Sequence, residues 1–361
     1  MFVEGKIMTI AIDGTAAKFY NGSGIGNYSK ELIKNILQTN NNHLIEICYN
    51  EKPNFNFKNS FWELCNSPLK LNSFYDLVLN LHNGIGLPNF NCEKIISTIH
   101  DIIPSKIPNT VSECYLKIYN ENIFKILEKS NLIITVSKFS KNDIMKTFSI
   151  KDNKIHITYL SHSEIYKPLD KNFCENFLKL KYKIDFKYIL YVGSFSPRKN
   201  ILGLIDAFSK ICCKNNEINL IIVGVKGSSY EIYLNECIKL KITNRVFFTG
   251  FVKTSHLPYF YNNALCFVYP SFYEGFGLPP LEAMACKTPV ITSNLTSMPE
   301  ILKDSPLYVN PYDHHDIYEK LNLILKDDNL RNFLSEKGFN HSKNFSWKNT
   351  SLKTLDLFEK I

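Results

Sequence analysis

With 361 residues the chain exceeds what one hydrophobic core organises, so two domains are expected, and 45% hydrophobic with 21% charged residues is an ordinary globular composition. The formal charge of +8 comes from 42 basic against 34 acidic side chains, almost all the bases being lysines spread along the chain, so no dense basic tract argues for nucleic acid. The ten cysteines form no CxxC pair, which suits a reducing cytoplasm and gives no metal site. No window reaches the ~18 apolar residues of a membrane span, and the N-terminus lacks the apolar core of a signal peptide.

In chain order, the residues before Met8 read as an extra leader or alternative start. Met8 to Asp13 is an opening strand, and Gly14 to Gly26 a loop rich in small residues. From Ile25 to Leu37 apolar residues recur at helical spacing. A strand, a glycine-bearing loop and a helix form the phosphate-facing arrangement of doubly wound folds, although Gly22-Ser23-Gly24-Ile25-Gly26 does not match the dinucleotide fingerprint. Short β-branched or aromatic runs at His43 to Tyr49, Leu77 to Leu81 and Lys94 to His100 are further strands. His100-Asp101 falls at a strand's carboxyl end, where the histidine serves acid–base chemistry, sugar binding or only a satisfied sheet edge. A helix from Ser112 to Ser130 carries Tyr115, Ile118, Tyr119, Ile123, Phe124 and Leu127; packing on the sheet explains it better than a membrane surface does. Strands at Leu132 to Val136 and Ile155 to Tyr159 flank a serine turn at Ser137 and a helix through Ile144-Met145. Alternating strands and helices imply a parallel sheet covered on both faces.

The pattern breaks at Tyr166 to Leu169, which sets the domains at 1–167 and 168–344. A second strand–loop–helix unit starts at Tyr188 to Gly193. Its loop, Ser194 to Asn200, holds Arg198 beside Lys199, and Arg198 is one of only three arginines in the chain. Two cations there match a diphosphate, the arginine as a planar fork and the lysine as a point charge. At a helix start they oppose the macrodipole and need an anion. Strands at Leu220 to Gly224 and Val246 to Gly250 follow, with helices around Tyr230 to Leu240 and Leu257 to Asn262. After the apolar strand Ala264 to Tyr269 comes Pro270-Ser271-Phe272-Tyr273-Glu274-Gly275-Phe276-Gly277-Leu278-Pro279-Pro280-Leu281-Glu282, and then a strand at Pro289 to Ser293. Gly275 and Gly277 permit close backbone approach, Pro279 or Pro280 suits the first helical position, and the free amides of a helix start form an anion site flanked by two carboxylates.

These motifs, with Thr249-Gly250-Phe251-Val252, Met298-Pro299-Glu300, Gly24-Ile25-Gly26-Asn27-Tyr28, His100-Asp101 and Asn344-Phe345-Ser346-Trp347, closely resemble retaining glycosyltransferases of family 4 over nearly the whole chain. The wording is most similar to bacterial mannosyltransferases of surface-polysaccharide assembly. The resemblance implies the GT-B fold: an α/β protein of two facing Rossmann-like doubly wound domains with an interdomain cleft, and a C-terminal helix near 345–361 that packs back on the first domain. It implies that Arg198 and Lys199 hold the diphosphate of a nucleotide-sugar, that Glu274 contacts the transferred sugar and that Glu282 holds the ribose. By the same resemblance, backbone at Gly275, Phe276, Gly277 and Leu278 lines the sugar and phosphate site and Val252 meets the base. Gly24 and Gly26 approach the diphosphate, and His100 assists transfer. No Asp-x-Asp motif occurs, so no cofactor and no metal are expected.

The expected partners are a GDP- or UDP-sugar, with mannose the preferred sugar, and a glycan or lipid-linked glycan acceptor. A cytoplasmic location is expected, extending to peripheral association with the inner face of the membrane. Two departures stand out: Cys286-Lys287-Thr288-Pro289 replaces a turn where the family commonly has glycine, and Ser196 replaces an often acidic residue, which makes mannose less secure. The alternatives are a UDP-sugar-dependent glucosyl- or N-acetylhexosaminyltransferase and a catalytically silent GT-B binding subunit.

Overall fold

A computed structural model describes residues 7–19, 22–40, 42–49, 69, 71, 73–86, 91–227 and 229–361. Cys65 and the residues before Ile7, with the question of a leader or alternative start, lie outside them. The chain forms two compact units, one comprising residues up to Leu160 together with Ser346–Ile361, the other Ser161–Phe345.

The first unit is built on a six-stranded parallel sheet of β1 (Thr9–Asp13), β2 (Leu44–Cys48), β3 (Tyr75–Asn80), β4 (Cys92–Thr98), β5 (Leu132–Thr135) and β6 (Ile155–Ile157), in the order β2-β1-β3-β4-β5-β6. Leu77, Val78, Leu79, Ile96, Ile133 and Ile134 are buried, as expected where helices cover both faces of a parallel sheet. On one face the helix Glu113–Lys129 contributes Tyr115, Ile118, Tyr119, Ile123, Ile126 and Leu127 to a core shared with Ile99, Ile133 and Ile144. Phe124 departs from the sequence expectation: it lies one residue off that stripe, is 67% exposed, and meets the edge of Phe148 at 5.4 Å. The loop expected from Gly14 to Gly26 contains a short helix, Thr15–Phe19, and the next helix, Gly24–Thr39, starts a residue earlier than its apolar spacing suggests because Ser23 caps it. The C-terminal helix Trp347–Phe358 packs on Gly24–Thr39, with Thr39 Oγ1 3.1 Å from Ser351 Oγ and Thr350 Oγ1 donating to the Tyr159 carbonyl at 2.6 Å.

The second unit repeats the plan with β7 (Tyr188–Val192), β8 (Asn219–Val223), β9 (Val246–Gly250), β10 (Cys266–Tyr269), β11 (Val290–Ser293) and β12 (Leu307–Val309), ordered β12-β11-β10-β7-β8-β9. Tyr166 and Lys167 belong to this unit, because the Tyr166 ring packs on Tyr261 at 5.7 Å and the Lys167 carbonyl accepts from Asn262 at 3.0 Å. Strand β12 and the helices Lys171–Tyr182, Met298–Leu302, His314–Lys326 and Asp328–Ser342 carry no assignment from the sequence. Two α/β sheets with helices around them match the fold class read from the sequence.

Each sheet reverses its strand order once, between β1 and β3 in the first unit and between β7 and β10 in the second. Loops leaving adjacent strands in opposite directions at such a point open a crevice at the carboxyl edge, the usual ligand position in open α/β sheets. Among the described residues no helix is long and apolar enough to cross a membrane, and no group of three or more His, Cys, Asp or Glu side chains is arranged to hold a metal ion.

Candidate functional site

In the second unit the loops flanking the reversal are Gly193–Asn200, after β7, and Pro270–Gly277, after β10. Pro197–Lys199 forms a single 3-10 turn, after which Asn200 adopts a left-handed conformation (φ 55°) and caps the helix Ile201–Cys212 through Gly203 N at 3.2 Å. Asparagine is among the residues that tolerate both roles. Gly277 serves the matching position after β10, with φ 94°; its missing Cβ leaves room for the Met298 methyl group. The helix then begins at Leu278, so Pro279 takes the second helical position, not the first. The two loops are tied together by Phe272 N donating to the Arg198 carbonyl at 2.8 Å.

That tie brings Arg198, Lys199 and Glu274 into contact. Arg198 Nη1 lies 2.9 Å and Lys199 Nζ 2.6 Å from the same oxygen, Glu274 Oε1, and Arg198 Nη1 also donates to the Tyr273 carbonyl at 3.0 Å. Lys199 Nζ donates as well to the hydroxyl of Tyr269, the last residue of β10. Glu274 is 7% and Lys199 6% exposed. Burial pushes the Glu274 carboxyl up, but the two adjacent cations outweigh it and bring it down to about 2. Its backbone is fixed on both sides, with Thr296 Oγ1 accepting from Glu274 N at 3.2 Å and Ser297 Oγ donating to Glu274 O at 2.9 Å. The anion that two cations at a helix start require is therefore supplied within the chain. The other two arginines have structural duties: Arg245 donates to carbonyls at Asn215 and Ile218, and Arg331 to those of Ile324 and Leu325.

Glu282 sits on the helix Leu278–Ala285 with a different environment. Tyr261 OH donates to its Oε2 at 3.0 Å and Tyr166 supplies a second hydrogen bond. Burial pushes this carboxyl up to about 7, the two phenols pulling in the opposite direction. Gly275, Phe276, Gly277 and Leu278 occupy the turn between the two glutamates, and the buried Val252 follows β9 at the far edge of the sheet.

In the first unit, Gly24 opens its helix with open space where a side chain would project. The Gly26 amide is taken into the cap by Ser23 Oγ at 3.0 Å. Tyr28, on the first turns of that helix, meets His100 edge-on at 4.4 Å, which brings the glycine segment and His100 together. His100 is 9% exposed, its Nε2 has no hydrogen-bond partner among the described residues, and burial lowers its pKa to about 4, so the ring is neutral near pH 7. At the strand reversal of this unit, Asp13 Oδ2 pairs with His82 Nε2 at 2.6 Å, both side chains buried. Asn83 (φ 51°) accepts from His100 N at 2.6 Å and donates to Tyr115 OH at 3.2 Å. Sequence reasoning passed over Asp13, His82, Tyr166, Tyr261 and Tyr269. Asp13 and Tyr269 end strands, a signal that position alone carried. His82, Tyr166 and Tyr261 have no local signature.

Two doubly wound units, each with one strand reversal, have the layout of the GT-B fold, and one of the reversals carries a cation pair locked on a buried glutamate. Residues 175–341 match the family described as Glycosyl transferases group 1. The chain is 34% identical over 278 residues to the O-antigen chain mannosyltransferase B of Escherichia coli, covering 75% of this chain and 73% of that one. It is 28% identical over 275 residues to the serotype-specific mannosyltransferase WbdA of Escherichia coli, 74% of this chain but 34% of that protein, so it spans about a third of WbdA. The sucrose-phosphate synthase of Thermosynechococcus elongatus has the same fold, with a TM-score of 0.75, 19% identity and 98% of each chain covered. The chain belongs to the group 1 glycosyltransferases.

Proposed function

We propose that the chain transfers mannose from GDP-mannose to a glycan or lipid-linked glycan acceptor in surface-polysaccharide assembly, with retention of configuration and without a metal ion, as in family 4. The observation that carries this proposal is the contact of Arg198 and Lys199 with one oxygen of Glu274 beside a helix start, joined to the likeness to O-antigen mannosyltransferases. Breaking a glycosyl–phosphate bond builds negative charge on the diphosphate and positive character on the sugar ring. Arg198, Lys199 and the amides from Gly275 to Leu278 are fixed before reaction and answer the first; cations already in place do what a divalent ion does elsewhere. Glu274, held ionised by those same cations, accepts from sugar hydroxyls and orients the ring, each such hydrogen bond contributing ~1.5–3 kcal/mol. Glu282 holds the ribose and the backbone at Val252 meets the base. Gly24, Gly26 and a neutral His100 serve the diphosphate and the sugar. The acceptor chemistry fits an enzyme working in the cytoplasm at the inner face of the membrane.

Ser196, where the mannosyltransferase wording is often acidic, favours as a second reading a UDP-sugar of the glucosyl or N-acetylhexosaminyl type. Thermal-shift measurements with GDP-mannose, UDP-glucose, UDP-N-acetylglucosamine and a dTDP-sugar decide between them, because the bound donor raises the melting temperature by mass action. GDP-mannose is expected to give the largest shift, and a larger one from a UDP-sugar overturns the assignment of the donor. Activity is expected to survive EDTA in full. Strict dependence on added Mg²⁺ or Mn²⁺ removes the metal-free part of the proposal.

A further inference from the structure

The two glutamates of the turn differ in what holds them. Glu274 meets two cations, whereas Glu282 meets two phenols and, among the described residues, no cation contributes to its proton affinity. Both phenols are anchored independently of Glu282. Tyr261 is fully buried on the helix Leu257–Asn263, its ring lies against Phe267 at 5.4 Å, and its carbonyl accepts from Thr288 Oγ1 at 2.6 Å. Tyr166, 3% exposed, lies in the segment that enters the second unit and packs edge-on against Tyr261 at 5.7 Å. That segment is pinned in turn by Asn262, which donates to the Lys167 carbonyl at 3.0 Å and accepts from Leu169 N at 2.8 Å. A carboxylate on a flexible side chain that receives two fixed O–H donors loses its alternative rotamers while keeping unused lone pairs for a ligand.

We propose that Tyr261 and Tyr166 are positioning residues for the nucleotide end of the sugar donor, their hydroxyls holding the Glu282 carboxylate in the orientation that accepts the ribose hydroxyls. The inference rests on the ribose role given to Glu282 above. Among the described residues, the titratable groups that act on Glu282 are these two phenols and the thiol of Cys286, the last buried and pushed well above its ordinary value, hence neutral. The Glu282 carboxyl, raised to about 7, is ionised on the alkaline side of neutrality and protonated on the acid side. A protonated carboxyl is the poorer acceptor, so nucleotide affinity rises from pH 6 to pH 8. Removing one phenol withdraws a hydrogen bond made to the ionised form, so the acid limb of that profile moves to higher pH.

The test is calorimetry of GDP and UDP binding across that pH range, with donor KM and kcat measured in parallel. Absence of binding to the wild type by either nucleotide, or equal binding by Glu282→Ala, overturns the ribose role and the inference with it. Given a loss in Glu282→Ala, Tyr261→Phe is expected to bind about tenfold more weakly at the acid end and closer to wild type at the alkaline end, with donor KM raised and kcat nearly unchanged. Tyr166→Phe is a second, equally isosteric variant with the same expected direction. In a Glu282→Gln background neither change is expected to shift the pH profile further. Wild-type affinity in both tyrosine variants, or a loss equal at every pH, overturns the positioning role and leaves Glu282 its own.

Discussion

The strand reversals of the two units are built alike and charged differently. In each, a buried carboxylate bridges the crevice: Asp13, at the end of β1, reaches His82 after β3, and Glu274, after β10, reaches Arg198 and Lys199 after β7. One carboxylate faces one imidazole in the first crevice and two permanent cations in the second. Topology provides the crevice twice, and the side chains that meet the carboxylate in each differ in charge. The difference also shows in proton affinity. Burial raises Asp13, and His82 together with Thr15 brings it below its ordinary value, while two full charges take Glu274 down to about 2 against the same penalty.

The largest effect expected from breaking this contrast is in Glu274→Ala. It removes the carboxylate that meets both Arg198 and a lysine that is 6% exposed, and breaking such a buried ion pair costs ~3–5 kcal/mol. Denaturation followed on the second unit should show that loss, and added GDP should restore more stability to the variant than it adds to the wild type, because its diphosphate refills the anion position. An equal effect of GDP on both proteins would refute the idea that the diphosphate meets the same two cations as Glu274. The same pair predicts an acid limb. The depressed Glu274 carboxyl contributes stability that is fully present above its ordinary value of 4.5 and is lost as pH falls toward 2, on the order of 3 kcal/mol. Glu274→Gln should flatten that limb.

A smaller effect belongs to Asp13→Asn in the first unit. A buried imidazole loses its charged partner but keeps an amide oxygen nearby, at a cost of ~1–3 kcal/mol. GDP is expected to leave this deficit untouched, and rescue by GDP equal to that of Glu274→Ala would erase the distinction between the two crevices. Smallest is Ser23→Ala at the first helix of that unit, where Ser23 Oγ accepts from Gly26 N at 3.0 Å. Loss of such a cap costs ~1 kcal/mol, and faster amide exchange confined to the start of Gly24–Thr39 is the expected signature.

Much of this was legible from local pattern. The apolar runs that became β1 to β11 are β-branched or aromatic and end at turn residues, a signal that needs no partner to be read. The loop around Arg198 and the turn from Glu274 to Glu282 announce themselves through residue types that are costly without a purpose. The end of the chain was harder. Strand β12 has only three residues, Leu307–Val309, and gains its identity from pairing with β11 at Ile291, Thr292 and Ser293. The helix Thr15–Phe19 is too short to show a period, and Phe124 leaves the buried stripe because one residue along a helix turns a side chain by ~100°.

By itself, then, the sequence determined the kinds of element, their alternation, and the charged groups available at the strand ends, since these depend on residues close together in the chain. The tertiary structure decided which charges meet. Glu274 reaches Lys199 across 75 positions, Asp13 reaches His82 across 69, and Tyr261 reaches Glu282 across 21. The first two contacts exist because parallel strands side by side deliver their loops to one edge of a sheet, and the third because the helices Leu257–Asn263 and Leu278–Ala285 on either side of β10 pack together; both depend on long-range packing that no short stretch of residues encodes.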